Sequence, residues 1–365
     1  MVGKSYPPEF YSWIKDPNAR TAMEKIAVET EEDYQLLIKL LQKFNVEVIR
    51  PDATENHNEV FDGKQFFKPP MTPRDYAGRF GEKLHIASTE LQQFIDFTYP
   101  VLKDPSWPDV KSLNDIKNLD KRIINELIEV HEIENLLSMR DWDSFHNCLD
   151  QNNIPYEINR TKFSCSTADV TRVGKDLYYP NARGHNPNEV KEFFGNDYRI
   201  NFYNGDSHGD GCFCPVVPGL IFSLKGYLNY KETFPDWEVI ELPDQSWSKV
   251  KPFLELKNKN NGKWWVPGEE NNNVLTTCVE EWLGNWVGYV EETVFDVNML
   301  VIDEKNVVCN NYNKKVFNAL ERYGVTPHVI NFRHRYFWDG GLHCITLDLD
   351  REGEMQDYFP QRDQI

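Results

Sequence analysis

The sequence predicts an α/β chain whose strand-and-helix units repeat and close into a propeller-like ring. A helix–stop–strand pattern recurs along the chain, and apolar runs of buried-strand character lie between the copies. The 365 residues are 40% hydrophobic and 13% aromatic, enough for a sizeable core in one domain over residues 1–365. Units of strands plus a helix, repeated four or five times, suit a closed ring; a conventional two-layer sheet is the alternative arrangement.

Taken in order, the first copy has Thr30 as a helix cap. Tyr34, Leu37, Ile38, Leu41 and Phe44 follow at helical spacing, Asn45 makes a left-handed stop, and Val46-Glu47-Val48-Ile49 reads as a strand. Residues 105–147 are charged and helical in pattern, and read as an inserted helical segment. A further copy has Val190, Phe193 and Phe194 on a helix, Gly195 as its stop and a strand from Tyr198 to Tyr203. The runs Val216 to Leu224 and Met299-Leu300-Val301-Ile302 read as buried strands, and a fainter copy ends in the strand Glu238 to Leu242. Residues 257–273 are polar with Pro and Gly, the pattern of a long surface loop. The plan returns at Val316, Phe317, Leu320 and Tyr323, with Gly324 as stop and an extended run from Val325 to Asn331. Aligning LLQKFNVEVI with ALERYGVTPHVI shows the repeat directly.

Charge narrows the partners. Forty Lys and Arg face 58 Asp and Glu, a net charge of −18. Such a chain repels phosphate backbones and anionic lipid, which argues against nucleic acid and membrane surfaces and suits cationic ligands. No run reaches the roughly 18 apolar residues that span a bilayer, and the opening MVGKSYPPEFYSWIKD lacks a signal-peptide core. Seven scattered cysteines suit a reduced, cytoplasmic protein, and Cys212 and Cys214 do not make a paired zinc motif.

Several residues carry chemistry. Cys344, in WDGGLHCITLD, stands beside two glycines that allow close backbone approach, ahead of an alternation that reads as a strand. It is either a nucleophile or a small buried hydrophobe. His343 would point to the opposite face of that strand, and reads as structural. His208 and Asp210, in GDSHGDG, would share one side of a strand end, an imidazole to move protons and a carboxylate to hold a cation; a polar turn is the alternative. Asp169 could orient an imidazole or cap a turn. Asp75 could serve a site or form a surface ion pair with Arg74 or Arg79.

Read together, RPD (Arg50 to Asp52), PRD (Pro73 to Asp75), AD-x-x-R-x-GKD (Ala168 to Asp176), H-x-D (His208 to Asp210) and GG-x-HC-x-T (Gly340 to Thr346) resemble the glycine amidinotransferase family. That family lies in the guanidino-group-modifying (pentein) superfamily. The stretches NMLVIDEKNVV and GGLHCITLDLDREG carry the resemblance most strongly, over about Thr30 to Arg351. It implies a five-bladed, pseudo-fivefold α/β propeller of ββαβ-type repeats. It also implies transfer of the amidino group of L-arginine to an acceptor amine through a covalent intermediate on Cys344, without cofactor or metal, in a homodimer. By the same resemblance His208 is the general acid/base, Asp169 the carboxylate orienting it, and Asp75 and Asp210 the grip on the guanidinium. The chain departs from the family pattern at its opening, which keeps Trp13 but not a Trp-Asp-Pro pattern. It departs also after Leu220-Ile221-Phe222, where Lys225 is the basic residue offered for a substrate carboxylate, and Arg335 and Tyr336 could rim the site. Competing readings are a guanidino hydrolase of the arginine deiminase or dihydrolase type, a cysteine protease, and an inactive binding protein.

Overall fold

The computed structural model describes residues 1–53, 59–60, 65–112, 115–116, 118–131, 140–181, 184–205, 208–242, 266, 268–269, 271–284, 286–287 and 296–364. The loop expected at about 257–273 falls largely outside the described residues.

Helix α1 spans Pro17–Lys43. Its start is fixed by Asp16, whose carboxylate accepts from Asn18 N–H at 2.8 Å and Ala19 N–H at 3.2 Å, with Pro17 at the first helical position. Thr30 is therefore not a cap. It is buried mid-helix, where Oγ1 accepts from the Trp338 indole at 2.8 Å. Asn45 takes the expected left-handed conformation after the helix, at φ 57°.

Four three-stranded sheets share one topology. The first joins β1 (Ala77–Phe80), β2 (Lys83–Ala87) and β3 (Glu157–Asn159), the last two linked through helix α2 (Trp142–Gln151). The second joins β4 (Thr171–Val173), β5 (Asp176–Pro180) and, after helix α3 (Pro187–Phe194), β6 (Arg199–Tyr203). The third joins β7 (Phe213–Val217), β8 (Leu220–Leu224) and, after the short helix α4 (Tyr230–Thr233), β9 (Glu238–Leu242). The fourth joins β10 (Leu300–Asp303), β11 (Asn306–Cys309) and, after helix α5 (Lys314–Arg322), β12 (Thr326–Val329). In each, the first two strands pair antiparallel and the third pairs parallel to the second. A parallel neighbour cannot be reached by a tight turn, so every unit needs its crossover, which the helix supplies. The apolar run Val216 to Leu224 is two strands rather than one, because Pro218-Gly219 turns the chain with Gly219 at φ 90°.

A further antiparallel contact ties the two ends of the sequence. Met1 N donates to Leu347 O at 2.7 Å, Leu347 N to Met1 O at 2.9 Å and Gly3 N to Ile345 O at 2.9 Å, while Val2 N reaches Ile49 O at 3.0 Å. The segment following Cys344 is thus anchored to residues 1–3, which are themselves tied by Val2 to Ile49 beyond α1.

The largest apolar cluster packs α1 (Met23, Ile26, Tyr34, Leu37) against Tyr6, Tyr11, Trp286, Phe337, Trp338, Leu342 and Ile345. Polar clamps hold the same contact: Arg333 Nε donates to Asp33 at 2.9 Å, and His334 Nε2 meets Glu29 at 2.6 Å. Between β2 and α2, helical turns begin at Glu90 and include the helix Lys121–His131. They gather a core of their own from Phe94, Tyr99, Trp107, Leu119, Ile123 and Leu127. Trp142 to Gln151, partly inside the range expected for an insert, is the crossover helix of the first sheet, capped where Asp141 accepts from Ser144 N–H at 3.0 Å.

A second buried ionic knot lies on β5. Asp176, fully buried, accepts from Arg199 and Arg362 at 2.7 Å each and from Asn201 at 2.8 Å. Removing the anion takes from Arg362 its carboxylate partner among the described residues and leaves Arg199 paired with Asp357, so Asp176→Ala is expected to cost about 3 kcal/mol, read as a lowered midpoint in denaturant unfolding.

Candidate functional site

Cys344 does not lie on a strand. Residues 342–345 form a turn closed by Ile345 N to Gly341 O at 3.1 Å and Thr346 N to His343 O at 3.2 Å. The glycines before it serve close approach. A Cβ on Gly341 would sit 2.5 Å from Asn298 Oδ1, and one on Gly340 would sit 2.7 Å from Thr72 Cγ2. The left-handed position of this loop is taken instead by Asp339, at φ 54°.

Because the backbone turns here, the strand argument that set His343 on the opposite face fails. His343 Nδ1 donates to Asp210 Oδ2 at 2.7 Å, and the Cys344 thiol meets that same oxygen at 3.4 Å. Burial, followed by the neighbouring Arg74 guanidinium, pushes the His343 pKa down and keeps the ring neutral.

Asp75 and Asp210 come to the site from two short 3-10 turns, Pro73–Asp75 and Gly209–Gly211. Thr72 Oγ1 donates to Asp75 Oδ2 at 2.7 Å. Asp75 forms no ion pair with Arg74 or Arg79 among the described contacts: Arg74 pairs with Asp348 at 3.1 Å, and Arg79 lies near Glu82 and Asp350. One oxygen of each acid, Asp75 Oδ1 and Asp210 Oδ1, is buried without a hydrogen-bond donor among the described residues. Both acids act electrostatically on Cys344 and His208, so a ligand with N–H groups bound beside these residues would satisfy both oxygens.

His208 and Asp210 share the site through a different geometry from the one expected. His208 adopts a left-handed backbone (φ 65°, ψ 52°) rather than a strand end. Its Nδ1 lies 3.8 Å from Asp75 Oδ1, and its side chain is 53% exposed. The hydrogen bond from Asp169 goes to the backbone rather than the ring: Oδ1 accepts from His208 N–H at 2.7 Å, holding the strained residue in place. Partial burial opposes the imidazolium, but the charges of Asp75, Asp169 and Asp210 outweigh it and raise the His208 pKa. Cys344 is driven the other way. Burial, then Asp210 and Asp75, lift its thiol well above the ordinary range, against the lowering effect of Gly341 and Asn298. The resting arrangement is a neutral thiol, a protonation-prone imidazole and two carboxylates.

Two residues that hold the site together escaped the sequence reading. Arg74, read only as an ion-pair partner, is 2% exposed and donates to His343 O at 2.7 Å and Thr167 Oγ1 at 3.2 Å. Asn298, first residue of the quoted NMLVIDEKNVV stretch, lies against Cys344; an Asn before an apolar run has no signal separating it from a turn residue. The expected rim residues contribute less. Lys225 is exposed in the turn after β8, while Arg335 bonds back to Asn331 and Phe332 and lies over the Tyr336 ring. Among the described residues, no group of three or more His, Cys, Asp or Glu could hold a metal ion, and no helix is long and apolar enough to cross a membrane.

With Asp75 neutralised, its support for the imidazolium is lost. Asp75→Asn is expected to lower the His208 pKa, followed by NMR titration of the imidazole; an unchanged midpoint would remove Asp75 from its electrostatic surroundings.

No family model matches the chain. Among curated proteins it is similar to the L-arginine:L-lysine amidinotransferase of Pseudomonas savastanoi pv. phaseolicola, 24% identical over 200 residues, which cover 53% of this chain and 46% of that one. It is also similar to the mitochondrial glycine amidinotransferase of Xenopus tropicalis, 23% identical over 199 residues, covering 53% and 40%. The match thus spans about half the length of these relatives. In fold it is similar to SxtG, an amidinotransferase from Microseira wollei in the saxitoxin biosynthetic pathway, with TM-score 0.55 and 16% identity over 92% of this chain and 87% of that one. The inosamine-phosphate amidinotransferase of Streptomyces griseus gives TM-score 0.53 and 17% identity over 92% and 84%. In sequence and in fold, therefore, the resemblance read from the motifs holds: this chain is similar to the amidinotransferases of the pentein superfamily.

Proposed function

We propose that the chain is an amidinotransferase that takes the amidino group from L-arginine onto Cys344 and passes it to an acceptor amine. The observation that carries this reading is the pair of buried, donor-less oxygens on Asp75 and Asp210, the latter on the carboxylate that meets the Cys344 thiol. A guanidinium offers five N–H donors in one plane and one positive charge, which is what two such acids accept best.

The pKa directions give the order of events. Burial and then the two carboxylates favour the neutral thiol, and a guanidinium bound between the carboxylates would offset their part and favour the thiolate. The thiol proton leaves to solvent, and the sulfur then forms a bond to the guanidinium carbon. The bond from that carbon to the side-chain nitrogen breaks as protonated His208 donates to the departing amine, leaving ornithine and an amidino group on sulfur. The acceptor amine attacks the same carbon and gives its proton to His208, and the carbon–sulfur bond breaks. Asp169 fixes the residue that moves these protons through its backbone N–H.

The proposal extends to the architecture. The four sheets and the closing contact of residues 1–3 with 345–347 and Ile49 support a five-bladed ring in one catalytic domain, its fifth blade made from both ends of the sequence around α1. The resemblance adds a homodimer and a cytoplasmic setting, and the seven cysteines are all free, which suits a reducing compartment. The acceptor is left to experiment: the relatives' names carry lysine, glycine and inosamine phosphate.

Incubation with arginine and a panel of amines, with products identified by mass spectrometry, tests the reading. Ornithine and a new guanidino compound are expected only when an amine is present, with an amidino adduct on the Cys344 peptide and neither in Cys344→Ala. Citrulline, or ornithine with ammonia and no need for an amine, would make the protein a guanidino hydrolase instead. Asp75→Asn should lower kcat/KM by roughly 10- to 100-fold, the loss of one charge-assisted hydrogen bond.

A further inference from the structure

Asn298 is buried, 1% exposed, and every polar atom of its side chain is directed at the nucleophile's surroundings. Nδ2 donates to Cys344 Sγ at 3.1 Å and to Asp210 O at 3.3 Å. Oδ1 accepts from His343 N–H at 2.9 Å and Cys344 N–H at 3.3 Å. Its own carbonyl is held in turn by Asn310 Nδ2 at 2.9 Å. The chain makes room for this contact at Gly341, where any side chain would collide with Oδ1. So much convergence on one amide exceeds what bracing a turn requires, for which the acceptor oxygen alone would do.

We infer that Asn298 is a further catalytic residue, whose amide N–H stabilises the Cys344 thiolate while its carbonyl oxygen sets the sulfur's position. A neutral thiol accepts a hydrogen bond weakly. When its proton leaves for solvent, the same N–H faces a full negative charge and the bond becomes charge-assisted. Asn is suited to this because it cannot be deprotonated, adds no charge beside Asp210, and presents donor and acceptor on one rigid plane. Of the groups facing the sulfur, Asp210 and Asp75 oppose the thiolate, His343 is held neutral by burial, and Lys68 is a cation within electrostatic reach whose charged form burial disfavours; the Asn298 amide is the neutral side-chain donor bonded to the sulfur itself. The inference rests on Cys344 being the nucleophile of the proposed function, but its test reads the thiol and not turnover.

The rate of Cys344 alkylation by iodoacetamide is measured against pH, with the modified peptide identified by mass spectrometry, in the wild type and in Asn298→Ala. The midpoint is expected to rise by about one pH unit or more in the variant, a roughly tenfold loss of thiolate at a given pH. A residue that only braced the turn would change the plateau rate or the melting temperature and leave the midpoint where it was; that outcome overturns the inference. Should Asn298→Ala not fold, the wild-type protein decides. The Asn298 side-chain amide protons, recognised as the Asn signals altered by Cys344→Ala, must shift with the same pH midpoint as alkylation, and signals indifferent to the thiol's ionisation overturn it. A raised midpoint in a protein that transfers no amidino group would keep the role of Asn298 and remove the proposed function.

Discussion

The buried guanidinium of Arg74 is the joint on which the site depends. A charge this enclosed is tolerated only when its N–H groups are satisfied, and the partners that satisfy it come from separate parts of the chain. They are His343 O in the Cys344 turn, Thr167 two residues before Asp169, and Thr346 and Asp348 beyond the nucleophile. Its chain neighbour is Asp75. Satisfying one cation therefore places an acid, the nucleophile's turn and the segment carrying Asp169 in a single frame. The cation lies next to His343 and helps to keep that imidazole neutral.

Around this joint the charges are arranged in opposition. Asp75 and Asp210 raise the pKa of both Cys344 and His208, which favours thiol on one and imidazolium on the other. Neither form alone is the reactive pair, since attack needs the thiolate. Under the proposed function, a bound guanidinium would offset the carboxylates' charge.

The long helix α1 supplies the mechanical support. Its buried face and its polar residues Glu29, Thr30 and Asp33 hold the run from Phe332 to Ile345 by apolar packing, an indole hydrogen bond and ion pairs. The backbone bonds between residues 1–3 and 345–347 fix the far side of the same run. The Cys344 turn is thus restrained at both ends, which would make the approach of its sulfur reproducible in the proposed reaction.

Local pattern was enough for the later repeating units, though not for the first, where residues 46–49 follow the helix as an extended segment outside any sheet. Helix, stop and strand at 190–203 and 316–329 follow from apolar spacing and from Gly195 and Gly324, because these are contacts between near neighbours in the chain. The identities of Cys344, His208, Asp210, Asp169 and Asp75 were legible as ordered motifs. Their geometry was not. Thr30 looked like a cap because Thr often is one, yet Asp16-Pro17 starts the helix earlier and tertiary packing gives Thr30 a different partner. His343 was assigned the wrong face because strand alternation was assumed where the chain turns. Asn298, Arg74 and the backbone role of Asp169 were decided by contacts spanning 46, 269 and 39 residues. The sequence by itself determined the α/β repeat and named the side chains that the structure gathers around Cys344. Only the tertiary structure decided which atoms meet, because hydrogen bonds between residues so far apart depend on how the units pack, and no local periodicity records that.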